Sequence, residues 1–432
     1  MNVLIVGNGA REHALAWKIK QSKLCKKLFV APGNPGIQSI AECLPWVEID
    51  NFESIKNVCI QNHVNLLLVG QELPLVKGIR NFLHDHNELQ NLMIIGPDKN
   101  GALLEGSKDF SKSFMLKYGI PTAPAKTFTA SQITEAKDYV NTLSIPIVIK
   151  ADGLAAGKGV IIANSHDEAY TIIDDILKKK KFGDAGNKIL IEKFLKGVEL
   201  SVFILTDGTG NYILLPEAKD YKRIGENDTG LNTGGMGAIS PVPFADEVFM
   251  EKVKQKIIIP TLEGLKNEQI NYIGFIFIGI MNVNHEPYVI EYNVRLGDPE
   301  TEAIVTRIES DLLEYLVGAA KGNLNKLPSL KISNQYAATV FLVSGGYPEH
   351  FEKGFEILGL ENVKNCLIFH AGTAIVNNKL VNTGGRVLAL TSNGKTLKEA
   401  LSLTLENAQK IYWEKYYYRK DIGLDLLNYI HA

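Results

Sequence analysis

From residue 1 to about 100, short apolar runs alternate with amphipathic stretches. "VLIV" (3–6), "LFVA" (28–31), "LLLV" (66–69) and "LMII" (92–95) have strand length, and helical spacing separates them. This rhythm predicts βαβ units and a parallel sheet. "GPDKNGALLEGSKDFSKSFMLKYGIP" then predicts a helical passage that ends at Gly119 and Pro121.

Near residue 126 the pattern changes. "PIVIKA" (146–151) and "GVIIA" (159–163) are strands joined by a short glycine-rich connection, and "SHDEAYTIIDDILKKKK" is a helix. Its lysines, Lys178 to Lys181, form a solvated end where cations suit the helix dipole. "KILIEKFL", "ELSVFILT" and "NYILLPEA" are spaced as antiparallel neighbours, and a long polar loop is expected over about 219–240. "GFIFIGIMNV" and "PYVIEYNV" flank "NHE", a hairpin signal. "SDLLEYLVGAAKG" is a helix, "LNKLPSL" (324–330) a linker, and the remainder is rich in short strands and glycine turns.

A chain of 432 residues exceeds one ordinary core, so two to four domains are expected. The pattern divides them as a Rossmann-like α/β domain over 1–105, a central region over 106–325 and a small β-rich α+β domain over 326–432. Within the central region, about 126–191 is expected to be a mobile lid. A net charge of −2 gives no electrostatic case for nucleic acid. No apolar run approaches the roughly 18 residues of a membrane span, and the N-terminus lacks the pattern of a signal peptide. Cys25, Cys43, Cys59 and Cys366 show no close pair or metal spacing, as expected for reduced thiols in the cytoplasm. His84 and His86 are expected at the surface. No Ser-His-Asp, Cys-His or HExxH arrangement is present.

Four stretches carry candidate chemistry. "VLIVGNGAREHALAWKI" has the strand, glycine turn and helix of a dinucleotide fingerprint, but Glu12 stands at the third glycine position and no ribose-holding acid follows "LFVA". The main-chain N–H groups of Gly9, Ala10 and Arg11 could still hold a phosphate at the helix N-terminus. "KADGLAAGKGV" runs from strand to strand, unlike a Walker loop. Gly153, Gly157 and Gly159 with Lys158 suit a flap over phosphates, with Lys150 as a point charge. In "AKDYKRIGENDTGLNTGGMGAISP", Gly234-Gly235-Met236-Gly237 suggests close approach of the backbone to a ligand. In "VIEYNVRLGDPETEA", alternation places Glu291, Asn293 and Arg295 on one strand face. Two oxygen ligands there fit Mg²⁺, and Arg295 could clamp a carboxylate or phosphate.

Taken together, the chain resembles the ATP-grasp superfamily and, within it, the glycinamide ribonucleotide synthetases. "GNGAREHALAWK", "ELPLVKG", "EGSKDFSK", "IVIKADGLAAGKGV", "IEKFLKGVELS", "DTGLNTGGMGA", "EYNVRLGDPETEA", "VSGGYP", "FHAGTA" and "NTGGRVLALT" carry the resemblance along essentially the whole chain. It implies an ATP-grasp fold for 106–325 and ATP-dependent joining of glycine to 5-phosphoribosylamine through glycyl phosphate. By the same resemblance, Lys108 and Lys150 hold ATP phosphates under the 153–159 flap. Glu192, Phe194 and Glu199 seat adenosine. Glu291 and Asn293 hold Mg²⁺ or Mn²⁺. Arg295, Asp220 and Lys222 orient glycine and the acyl phosphate. Asn8, Gly9, Ala10, Arg11 and Glu72 receive the phosphoribosyl group. A cytoplasmic enzyme of purine biosynthesis, monomeric or homodimeric, is implied, with small molecules as its partners. Lys219, Gln71, Leu296 and Glu352 depart from the family pattern, the first three beside the expected site. Another ATP-grasp ligase, an NAD-dependent oxidoreductase and a silent nucleotide-binding regulator are the rival readings.

Overall fold

The computed structural model describes residues 1–154 and 159–430. Five parallel strands form the first sheet, in the order Glu42–Cys43, Lys27–Pro32, Asn2–Gly7, Leu66–Val69, Met93–Ile95. Val3 to Val6 are fully buried, as an apolar run in a sheet covered on both faces must be. The order of strands reverses direction between Asn2–Gly7 and Leu66–Val69. Their carboxyl ends therefore open into the crevice where such sheets bind ligands. Asn8, Gly9, Gln71 and Glu72 lie at those ends. The helical passage predicted before Gly119 forms as two pieces, Leu103–Gly106 and Lys108–Lys117. Ser107 breaks it, because its Oγ accepts the Phe110 N–H as the N-cap of the second helix.

Residues 125–193 build an antiparallel sheet in the order Ala125–Thr129, Lys188–Lys193, Ile147–Ala151, Val160–Ala163. Helices Ile133–Asn141 and His166–Leu177 cover it, and its core, from Phe128 to Ile191, is separate from the main one. Lys178 and Lys179 pair with Asp174 and Asp175 at the end of the second helix.

The central sheet runs Tyr212–Leu214, Val198–Asp207, Ile273–Val283, Glu286–Asn293. Lys188–Lys193 and Val198–Asp207 are thus not the antiparallel neighbours that their spacing suggests. Ile189 and Ile191 belong to the smaller core, whereas Leu200 and Val202 belong to the main one. The chain changes sheets across Phe194–Gly197. The "NHE" hairpin forms as predicted: Asn284 and His285 both have positive φ, 51° and 64°, as a type I′ turn requires.

The polar stretch at 219–240 is not a free loop. Lys219–Asp220 and Gly237–Ser240 extend the C-terminal sheet, which continues through Tyr336–Ser344, Arg386–Gly394 and Leu367–His370. Arg223–Gly225 and Thr229–Asn232 pair as a hairpin. The glycines that follow it pack closely on the protein's own chain: a Cβ on Gly237 would sit 2.5 Å from Thr339 O, and one on Gly235 would strike Pro299. No described helix is long and apolar enough to cross a membrane.

Candidate active site

Glu291 lies near the end of the strand Glu286–Asn293. Burial works to raise its carboxyl, but Lys222, Lys150, Lys108 and Arg295 outweigh that and hold it below the ordinary value. Four basic side chains from separated segments therefore converge on one carboxylate. Neither Glu291 nor Asn293 has a side-chain hydrogen-bond partner among the described residues, so both oxygens are available to a cation. No cluster of three or more acidic, histidine or cysteine side chains suited to a metal is found among those residues. A two-ligand set fits Mg²⁺ or Mn²⁺ that takes its remaining ligands from phosphate and water.

Lys108 opens the helix Lys108–Lys117, and its Nζ donates to Gly153 O at 3.1 Å. Asp152, just past the strand Ile147–Ala151, is tied to this helix, accepting from Ser107 Oγ at 3.1 Å and from Asp109 N at 2.8 Å. Gly157 and Lys158 lie outside the described residues, while Gly153 and Gly159 flank them. Lys150 donates to Ile290 O and pairs with Glu192 Oε2, both at 2.9 Å. Lys112, absent from the sequence-level site, stands 3.0 Å from Glu192 Oε1. Burial opposes ionisation of Glu192, yet these two lysines hold its carboxyl below the usual range. Its side chain is thus committed to cations. Phe194 is half-buried where the chain crosses between sheets.

Glu199 and Asp220 face Lys222, which is ion-paired to Glu199 and 3.8 Å from Asp220. Burial raises Asp220 despite that lysine. Arg419, only 1% exposed, ties this segment to the C-terminal domain. It pairs with Asp421 at 2.6 Å and Asp228 at 2.8 Å, and donates to Arg223 O at 3.0 Å. Arg419→Ala is expected to cost roughly 2–4 kcal/mol, between the limits for exposed and buried pairs, as read by chemical denaturation.

Arg295 lies just past its strand, held by Glu105 at 2.9 Å and Glu72 at 3.3 Å. Glu72 also feels Arg11, so the first sheet and the strand of Glu291 meet at these two arginines. Arg11 Nε donates to Glu12 at 2.7 Å and its Nη1 to Leu296 O at 3.1 Å. Glu12 Oε2 accepts the Gly9 N–H at 2.7 Å, so the carboxylate at the third glycine position caps this turn. The amides of Ala10 and Arg11 carry no partner among the described residues. A Cβ on Gly7 would sit 2.5 Å from Glu12 Cδ, so this side chain fills space that a dinucleotide fingerprint leaves clear.

Of the departures, Gln71 donates to Asn8 Oδ1 at 3.0 Å, within the crevice. Leu296 presents its carbonyl to both Arg11 and Arg295. Lys219 turns away, pairing with Asp425 at 3.1 Å over the Tyr221 ring. Glu352 pairs with Lys415 on the surface. His13 and His370, unremarked in sequence, join the helix Ala10–Lys20 to the C-terminal sheet through His370 N–H to His13 Nδ1 at 2.8 Å. Burial lowers them to about 3 and about 4, so both are neutral at physiological pH.

Glu300 is a further buried acid near Asp220. Burial, then Asp220, raises its carboxyl to about 7, against a hydrogen bond from Ser201 at 3.0 Å. Below the ordinary glutamate value of 4.5, folded and unfolded chains are both protonated at this group. From there to about 7 the folded chain binds more protons, so this contribution to stability falls as pH rises. Glu300→Gln is expected to flatten that fall and raise the melting temperature above pH 7, measured by thermal unfolding across pH.

Lysines that converge between two antiparallel sheets, on a strand that offers a carboxylate and an amide, define an ATP-grasp protein. Family models described as "Phosphoribosylglycinamide synthetase" match the chain in three parts: the N domain over 1–105, the ATP-grasp (A) domain over 106–301 and the C domain over 337–425. The chain belongs to the phosphoribosylglycinamide synthetase family. A phosphoribosylamine–glycine ligase of Caldanaerobacter subterraneus is 42% identical over 98% of this chain and 99% of its own. One from Fusobacterium nucleatum is 44% identical over 98% of each. The crystal structure of the Thermotoga maritima phosphoribosylamine–glycine ligase superposes with a TM-score of 0.84 at 34% identity, covering 98% of this chain and all of that one. The biotin carboxylase domain of a Hydrogenobacter thermophilus 2-oxoglutarate carboxylase, at 17% identity and a TM-score of 0.73 over 100% of this chain and 94% of that one, shares the fold.

Proposed function

We propose that this protein joins glycine to 5-phosphoribosylamine in de novo purine biosynthesis, using ATP. The glycine carboxylate attacks the γ-phosphorus, giving glycyl phosphate and ADP. The amine of phosphoribosylamine then attacks the acyl carbon, forming the amide and expelling phosphate with loss of a proton. The convergence of Lys108, Lys150, Lys222 and Arg295 on Glu291 carries this reading. Phosphoryl transfer needs aligned reactants and neutralised charge more than a covalent nucleophile.

In this assignment Lys108 and Lys150 hold phosphate oxygens, and the 126–191 unit acts as the lid. Main chain near Phe194 takes the adenine edge and Glu199 the ribose. Glu291 and Asn293 hold Mg²⁺ or Mn²⁺, which would neutralise phosphate charge when bound. Asp220 and Lys222 orient glycine, and Arg295 the acyl phosphate. Asn8 to Arg11 and Glu72 line the phosphoribosyl site at the crevice of the first sheet.

A coupled assay of ADP release tests the whole assignment. Release is expected only with ATP, glycine and phosphoribosylamine together, with glycinamide ribonucleotide formed in equal amount. Equal release without phosphoribosylamine, or with bicarbonate in place of glycine, would assign the chain to a different ATP-dependent reaction.

A further inference from the structure

Lys112, Glu192 and Lys150 form a buried trio with two cations and one anion. Their side chains are 5%, 4% and 8% exposed. The two lysines are not equivalent. An ammonium has three protons to donate. Around Lys112 Nζ stand three protein acceptors: Thr122 Oγ1 at 2.6 Å, Ala123 O at 3.0 Å and Glu192 Oε1 at 3.0 Å. Two of these, Thr122 and Ala123, are hydrogen bonds and the third is an ion-pair contact, so Lys112 is held on its own side of the site by three partners. Lys150 has two, Glu192 Oε2 and Ile290 O, each at 2.9 Å. One of its protons remains for another acceptor, and its charge acts on Glu291.

We propose that Lys112 is a positioning residue for nucleotide binding: it neutralises Glu192 permanently, so that Lys150 can turn to the ATP phosphates without leaving a buried carboxylate unpaired. This rests on the assignment of Lys150 to those phosphates. A buried carboxylate with one cation holds that cation tightly, because losing it strands a charge in low dielectric. A second, fixed cation removes the penalty. Lys112 is one helical turn beyond Lys108 on the same helix, so Ser107 at the helix N-cap places both lysines. Lys108 reaches Gly153 O at the flap, and Lys112 secures the base of the strand opposite.

Charge balance makes a specific demand. The native trio carries one cation in excess, Lys112→Met carries none, and Lys112→Met with Glu192→Gln again carries one. Binding of adenylyl imidodiphosphate with Mg²⁺, followed by calorimetric titration of the full-length protein, should therefore weaken roughly 100-fold in Lys112→Met, the scale of breaking a buried pair. It should return to within about tenfold of the parent in the double variant, where the trapping charge is gone. Assayed alongside, the KM for glycine should change little, whereas a merely structural defect would move both constants and the melting temperature together. In the double variant no buried carboxylate needs Lys150, so it stays informative if the single one folds poorly. Unchanged nucleotide affinity in Lys112→Met, or a double variant as weak as the single, overturns the proposal. Lys150→Met with parental affinity instead removes the assignment of Lys150 itself, an outcome distinct from failure of Lys112 alone.

Discussion

Replacing Glu291 with glutamine is expected to lower kcat roughly 10²- to 10³-fold, the effect of several kcal/mol of lost charge stabilisation. The substitution keeps shape and removes a negative charge that faces Lys108, Lys150, Lys222 and Arg295. With that charge gone, four cations repel one another across the cleft, and the oxygen pair offered with Asn293 loses its anionic member. Demand for free Mg²⁺ should rise as kcat falls. The fold should survive, since Glu291 has no hydrogen-bond partner among the described residues to lose. Steady-state ADP release across a Mg²⁺ titration, with a melting curve on the same sample, checks both points. Normal activity at limiting Mg²⁺ would contradict the placement of the ion.

Gly9→Val should raise the KM for phosphoribosylamine roughly tenfold to 100-fold, equivalent to the ~1–3 kcal/mol typical of overpacking. At this position a Cβ would stand 3.0 Å from Glu12 Oε2 and 3.5 Å from Asp298 Oδ2. Valine would therefore push on the carboxylate that caps the turn and crowd the free amides of Ala10 and Arg11. The KM for ATP and for glycine should stay nearly constant, because Lys108, Lys150 and Lys222 lie on other elements. If the folded variant loses ATP affinity alone, the two phosphate sites have been exchanged.

Both predictions use residues that stand out in the sequence, but the structure alters how they act. Glu12 reads in sequence as a flaw in a dinucleotide fingerprint; in the fold it is the acid that holds the Gly9 amide and Arg11. Glu192 reads as part of an adenosine site; its side chain proves to be the anion between two lysines. Lys112 and Glu105 lie inside the quoted motif "EGSKDFSK", yet no spacing rule separates Lys112 from Lys108 or points Glu105 at Arg295. Arg419 carries no signal of its long-range role, because beyond nearby Asp421 its partners at 223 and 228 are distant in sequence.

The sequence by itself determined the elements whose causes are local. The parallel strands, the turn at Asn284 and His285 and the shared strand face of Glu291 and Asn293 follow from period, turn chemistry and side-chain alternation within a few residues. Tertiary structure alone decided which strands became neighbours. Lys188–Lys193 and Val198–Asp207 went to different sheets, and the polar stretch after Ala218 found its partner in Tyr336–Ser344. Such pairings depend on which core buries each face, a property of the whole chain. The same holds for charge: alternation could put Glu291 on a face, but only packing could bring Lys108, Lys150, Lys222 and Arg295 to it, because electrostatic energy depends on distance in space rather than along the sequence.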